Sequence, residues 1–354
     1  MSTVNNLVAD FIFAHHQQLA EQLTEKHYQH HPQLLTRYGE NGKQRCLQDA
    51  LIHFDYLAQA LLVSSKSLFS DYIAWAKILL AQYGVSQEDL SHNLELMQQV
   101  LVENLPLEQA QCTDSYIHPC LSELSMLPTT VSSFYDENHP LTPLAKTYQA
   151  ALLNRQRQQA LQLILQAVKD NISIKEIYLS VFQPCLREIG RLWQLNEITV
   201  AHEHYCTAST QLIMSQLYPY LFSTPRNGLR LVATCIQGNL HEVGMRMVAD
   251  FFEMEGWDTV YLGANTPTES ILAMLVEHKA DVLAISATLG LQISHVKELI
   301  EKVHQQFGAT RPKIIVGGSP FSSDANLWQT IHADGCGNDA MEAIKIAHHL
   351  VKIS

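Results

Sequence analysis

The chain is poor in charge. Only 16% of its 354 residues are Asp, Glu, Lys or Arg, against about 25% in an average globular protein. The positive side is shorter still: 23 Lys and Arg stand against 35 Asp and Glu, a formal charge of −12. Neutralising phosphates takes clustered Lys and Arg, so this balance argues against direct binding of DNA or RNA. None of the seven cysteines, at 46, 112, 120, 185, 206, 235 and 336, forms a CxxC pair. Scattered and odd in number, they argue against a disulfide framework and for a reducing cytoplasm. The opening residues MSTVNNLVADFIFAHH lack the basic start and apolar core of a signal peptide. No apolar run approaches the ~20 residues that span a bilayer, so no membrane role is expected. Internal repeats and low-complexity tracts are missing too.

What is present is a 47% hydrophobic fraction and 18 histidines. The first is enough for buried cores, and the length predicts two or three domains. The second invites a metal or cofactor, because imidazole ligates metals and titrates near neutral pH. Up to about residue 225 the apolar spacing is helical. Helices are expected over 5–24, 43–64 and 67–83, and another opens at Ser86 with Asp89 in a capping-box position. A less regular, Pro-containing stretch follows, and residues 128–143 (PTTVSSFYDENHPLTP) read as a linker. Four helical segments at 144–153, 156–169, 173–191 and 199–222 suggest a four-helix bundle.

From Leu229 the period changes. Short β-rich runs at 229–236, 259–263, 281–287 and 313–318 alternate with helical segments near 241–255, 268–278, 292–307 and 338–352. That alternation predicts a parallel, doubly wound sheet whose ligand sits at the carboxyl ends of its strands. Three features fall on that edge. Asn239-Leu240-His241-Glu242-Val243-Gly244 follows the first strand. After 41 residues comes Ser286-Ala287-Thr288, and after 28 more comes Gly317-Gly318.

These elements, at these separations, resemble the cobalamin-binding domain of methionine synthase, corrinoid methyl carriers and cobalamin photoreceptors. The resemblance covers about 227–354 and implies a flavodoxin-like (Rossmann-like) domain. It implies that His241 is the lower axial ligand of cobalt, in place of the cofactor's own dimethylbenzimidazole. Ser286 and Thr288 would then hydrogen-bond the displaced nucleotide tail, and Gly317 and Gly318 would let it approach the backbone. Gly244 belongs to the same motif. The family's Asp or Glu two residues before the His is replaced by Asn239, whose amide oxygen is expected to accept the imidazole N–H.

In the bundle, Trp193, nine residues, then Glu203-His204 resembles the signature of the helical cap in light-sensing cobalamin-dependent regulators. It implies that Trp193 covers an upper axial 5′-deoxyadenosyl group, with Val200, Glu203 and His204 lining the same cavity. In that family visible light breaks the cobalt–carbon bond of adenosylcobalamin, and subunit contacts change. The residue after the Trp, a His in the best-described regulators, is Gln194 here, so a water-ligated photoproduct is expected unless His202 or His204 reaches cobalt.

The first 127 residues show no winged helix or basic recognition helix. They hold His15, His16, His27, His30, His31 and His53, with only His27 and His31 at ligand spacing. The layout resembles the photocobilins, which carry biliverdin as well as cobalamin. Phe69, Tyr72 and Trp75 with Arg37, Tyr38, Lys43 and Arg45 could then form an apolar slot with partners for the propionates.

The expected architecture is therefore an α plus α/β multidomain chain: a helical sensor domain at 1–127, a linker at 128–143, a four-helix cap at 144–225 and a cobalamin-binding domain at 226–354. The expected function is a cytoplasmic photoreceptor without catalytic activity, acting in signal transduction as a light-dependent homo-oligomer with an output protein as partner. Two alternatives stay open: a corrinoid protein carrying methyl groups for a methyltransferase system, and a haem-binding sensor with a cobalamin-like fold.

Overall fold

In a computed structural model of the chain, residues 2–221 and 224–352 are described. The expected helix end at residue 222 and the chain ends at 1 and 353–354 lie outside them. The chain divides into two compact units. One is Met1–Thr129 with Ala287–Glu298 and Gly318–His332. The other is Thr130–Ser286 with Leu299–Gly317 and Ala333–Ser354.

The first unit is built on five helices: α1 (Ser2–His30), α2 (Gln33–Leu62), α3 (Lys66–Gln82), α4 (Gln87–Asn104) and α5 (Leu107–Glu123). α2 starts ten residues before the expected 43 because its kink is absorbed by Gly39, whose φ of 65° suits a residue without Cβ. α4 opens on the expected capping box: Ser86 Oγ accepts from Asp89 N at 3.0 Å and Asp89 Oδ2 accepts from Ser86 N at 3.1 Å. α5 was expected as irregular chain. Pro106 instead sits at its N-cap, and Pro119 is carried inside it while Ala110, Thr113, Tyr116, Ile117 and Cys120 bury one face. Carbonyls beyond its end are satisfied by the buried Lys77, whose Nζ donates to Leu124 O at 2.7 Å and Leu127 O at 2.8 Å. The segments 287–298 and 318–332 pack on these helices. Gln59 Nε2 donates to Leu291 O and Ser294 Oγ, and Ser65 Oγ donates to Asp324 Oδ2.

The second unit opens with a segment pinned by Glu188, whose Oε2 accepts from Ser133 Oγ at 3.1 Å and Phe134 N at 3.0 Å. Next come α6 (Thr142–Leu153), α7 (Arg157–Lys169), α8 (Ile174–Ile177), α9 (Gln183–Gln194) and α10 (Val200–Gln216). α8 runs into α9 through a π turn, Tyr178–Phe182. Pro184, next to it, has no N–H to donate to the preceding turn, which accounts for the widened ladder.

The sheet follows, with β1 (Arg230–Cys235), β2 (Asp258–Tyr261), β3 (Val282–Ser286), β4 (Lys313–Gly317) and the two-residue β5 (Gly335–Cys336). All pairs are parallel, in the order β2-β1-β3-β4-β5, the flavodoxin-like order. The connecting helices are α11 (Val243–Met254), α12 (Thr268–His278) and α13 (Ile293–Phe307), and Ala340–Lys352 closes the chain. Tyr148, Tyr178 and Phe182 from the helices share one buried core with Phe251, Phe252 and Trp257 from the α/β part. Trp257 is fully buried and its indole N–H donates to His348 Nε2 at 2.9 Å. No helix among the described residues is long and apolar enough to cross a membrane.

Candidate functional site

The strand order puts its switch point between β1 and β3, where open α/β sheets hold ligands. Their last residues, Cys235 and Ser286, lie opposite each other, and Ser286 lies opposite Gly317 of β4. The chain leaves β1 through Gly238, at φ 81°, and reaches α11 at Val243. The expected helix start at 241 therefore comes two residues later, and His241 sits in a loop.

That loop is held by its backbone. Asn239 is fully buried. Its Nδ2 donates to Ser286 O at 3.0 Å and its Oδ1 accepts from His241 N at 3.1 Å. This corrects the expectation that Asn239 would hold the imidazole: the side chain is short, and its oxygen is consumed by the main chain two residues on, as in an Asx turn. Asn265 ties the other side, with its Oδ1 accepting from Gly238 N at 2.8 Å and its N donating to Asn239 O at 3.0 Å. The His241 side chain is exposed, and no hydrogen bond holds its imidazole among the described residues. A Cβ at Gly244 would meet no atom within 4 Å, so no internal packing demands glycine there. A pinned loop, an outward imidazole and open space beside it fit a bulky metal-bearing ring approaching from outside.

The remaining motif residues divide between the units. In the second, a Cβ at Gly317 would lie 2.8 Å from Gly337 O. In the first, a Cβ at Gly318, with φ 114°, would lie 1.8 Å from Ala287 O. Both glycines are thus required by neighbouring backbone. Thr288 is half-buried and its N–H donates to Gln292 Oε1 at 2.8 Å.

Trp193, half-buried, is the penultimate residue of α9, and Val200 opens α10. Val200 is 51% exposed. Glu203 bridges two neighbours: its Oε2 meets His204 Nδ1 at 2.5 Å and its Oε1 accepts from Thr207 Oγ1 at 2.8 Å. The His204 side chain is 73% exposed. His202 is committed to the helix start, with Nδ1 2.7 Å from Thr199 Oγ1. Gln194 is buried.

In the first unit the rings of Phe69, Tyr72 and Trp75 follow one another at 6.4 and 6.5 Å. Phe69 and Tyr72 are buried, and Tyr72 stacks on Tyr56 at 3.7 Å while its hydroxyl lies 2.6 Å from His53 Nδ1. Arg37 and Tyr38 both donate to Gly84 O, at 2.9 and 2.8 Å. Trp75 is exposed, and Lys43 lies over the Tyr28 ring. Burial holds His53 down to about 4, and burial followed by the neighbouring His31 holds His27 at about 4. His27 and His31 meet edge to face at 5.7 Å. Among the described residues no group of three or more His, Cys, Asp or Glu could hold a metal ion by itself. A cobalt carried in its own ring needs only one protein ligand.

Sequence reasoning missed the polar seam along α11. Glu242 Oε1 accepts from Gln211 Nε2 at 2.7 Å, Arg246 Nη2 donates to Ser215 Oγ at 3.1 Å, and Tyr178 OH donates to Asp250 Oδ2 at 2.8 Å. The signal was available: residues 242, 246 and 250 recur every four positions, on one face of a helix.

Comparison with known proteins assigns two stretches of the chain to a family. Residues 229–345 and residues 144–218 each match a family described as a B12 binding domain. Monomethylamine corrinoid protein 1 of Methanosarcina acetivorans is 26% identical over 198 residues, which cover 54% of this chain and 89% of that protein. The HTH-type transcriptional repressor CarA of Myxococcus xanthus is 32% identical over 103 residues, covering 29% of this chain and 34% of CarA. Among solved structures, the Methanosarcina barkeri monomethylamine corrinoid protein shares the fold, with a TM-score of 0.53, 18% identity, and coverage of 60% of this chain and 100% of that one.

Proposed function

From a chain that carries two B12-binding domains, we propose a light sensor that binds adenosylcobalamin, has no catalytic activity of its own and signals through a change in its own association. His241 is the lower cobalt ligand: neutral imidazole suits a transition metal, and the loop presents it outward with its backbone tied down. Ser286 and Gly317, at the adjacent strand ends, take the displaced tail, with Thr288 and Gly318 next to them in the chain. Trp193, Val200, Glu203 and His204 form the upper wall. The bound cofactor supplies a cobalt–carbon bond that visible light breaks.

The observation that carries this proposal is the start of α10. There an apolar Val200 at 51% exposure and a His204 side chain at 73% stand in the sequence frame Trp193, nine residues, Glu203-His204. A large upper group would bury both. The N-terminal helices would couple the sensor to an output protein, and biliverdin enters as a second chromophore on the strength of layout alone.

A second proposal is favoured by the corrinoid proteins among the relatives: a methyl-group carrier serving a methyltransferase. One experiment can exclude the first. Protein loaded with adenosylcobalamin in the dark is expected to change its absorption spectrum under green light and to bury the adenosyl group beforehand. An unchanged spectrum would sink the sensor and leave the carrier. Expression with biliverdin adds a red-absorbing band if the second chromophore binds, and its absence removes biliverdin.

A further inference from the structure

The loop that bears His241 is attached to the helix that bears Glu203 and His204, and one side chain makes the attachment. We propose that Glu242 is a positioning residue that sets how far His241 stands from cobalt, and that it takes its own position from Gln211 on α10. This rests on His241 being the lower ligand.

Four observations support it. Glu242 is the residue after His241 and the N-cap of α11. Its backbone carbonyl accepts from Arg246 N at 2.9 Å, so it belongs to the helix while its neighbour belongs to the loop. Its carboxylate is gripped at both oxygens, by Gln211 Nε2 at 2.7 Å and by Tyr261 OH at 3.2 Å. The Tyr261 hydroxyl also lies 3.1 Å from Glu242 O, so one donor at the end of β2 registers both side chain and main chain. Finally, a Cβ at Gly263 would sit 3.3 Å from Glu242 Oε2. Glycine leaves the carboxylate its room.

Burial first, then the fields of Cys235 and Glu242, push the Tyr261 hydroxyl well above its ordinary range, which keeps it a donor. The side of the loop facing β1 is equally fixed, by Asn239 on His241 N and by Cys235 Sγ on His241 O. Glu242 with Gln211 is the anchor next to the imidazole that leads to α10, and Arg246 with Ser215 repeats the link one turn further along α11. Along α10, Glu203, Thr207 and Gln211 follow at intervals of four residues on one stripe, and Glu203 already accepts from Thr207. From Glu203 to Gln211 the rise is about 12 Å. A shift of α10 moves Gln211, and through Glu242 it moves the peptide that carries the imidazole. The upper face and the lower ligand are then read by one rigid helix.

The test uses the full chain loaded with hydroxocobalamin and reduced to the cobalt(II) form. There, in protein whose histidines carry 15N, electron paramagnetic resonance reports a bound imidazole as a twofold splitting, whereas the cofactor's own 14N base gives a threefold one. Glu242→Ala and Gln211→Ala are each expected to lower the ratio of His-ligated to unligated cobalt about tenfold, the low end of what supporting residues around a metal cost. The double variant should be no worse than either single one. Glu242→Gln, which can still accept from Gln211, should restore the parent ratio. Alanine variants that keep the parent ratio, or losses that multiply in the double variant, would overturn the coupling. His241→Ala run beside them separates the two levels. If it keeps the twofold splitting, the ligand assignment falls and takes the coupling with it. If it abolishes the splitting while both alanine variants stay unchanged, the coupling alone falls.

Discussion

At the scale of single residues, the site depends on places where a side chain cannot be. Gly318 combines a φ of 114° with a carbonyl oxygen 1.8 Å from where a Cβ would stand. Gly318→Ala is therefore expected to cost more than about 1 kcal/mol of stability, seen as a lower urea midpoint at unchanged slope. A midpoint equal to the parent's would show that the turn relaxes. The glycines, His241 and Ser286 stand out in the sequence because their types and separations are unusual together. The role of Asn239 could not. Whether an amide two residues before a histidine holds its ring or its backbone is decided by the path of the loop, and Asn239 turns inward to Ser286 O. Glu242 escaped for a related reason: its partners Gln211 and Tyr261 are distant in sequence and ordinary in type.

At the scale of elements, most helices and four strands announced themselves through periodicity and capping, as at Ser86. The failures have local causes. Pro106 and Pro119 masked α5, although its buried positions keep helical spacing. β5, two residues long, is too short to carry any alternation. The π turn at Tyr178–Phe182 leaves no trace beyond Pro184, yet it sends Tyr178 to Asp250 on α11. Burial raises Asp250 to about 6, opposed by the Tyr178 hydrogen bond and by Arg246. A carboxyl raised on folding binds its proton more tightly in the native state than in the unfolded chain. It therefore withdraws stability as pH climbs from about 4 to about 6, and no further above that. A shift of this size corresponds to about 3 kcal/mol. Asp250→Asn is expected to remove that decline, so its stability relative to the parent should improve by that order between pH 4 and pH 6. Parallel pH profiles in denaturant melts would show that Asp250 is not the group responsible.

At the scale of the whole molecule, the proposed signal is a change of association. Light-treated and dark samples of adenosylcobalamin-loaded protein are expected to elute at different sizes on gel filtration, and Trp193→Ala should weaken that difference. Identical elution of both samples would remove oligomerisation as the output while leaving the spectral test intact. The division of the chain adds something that neither composition nor motif spacing announced. The first unit is assembled from three separate stretches, and two of them begin one peptide bond beyond Ser286 and Gly317. The N-terminal helices supply the packing for these stretches: Gly290 lies against Tyr56 and Leu68, and Asp324 is held by Ser65. The chain is thus woven rather than strung. No single cut in its gene frees the front module, and a graft of residues 1–129 onto another protein would arrive without the two loops on which it closes.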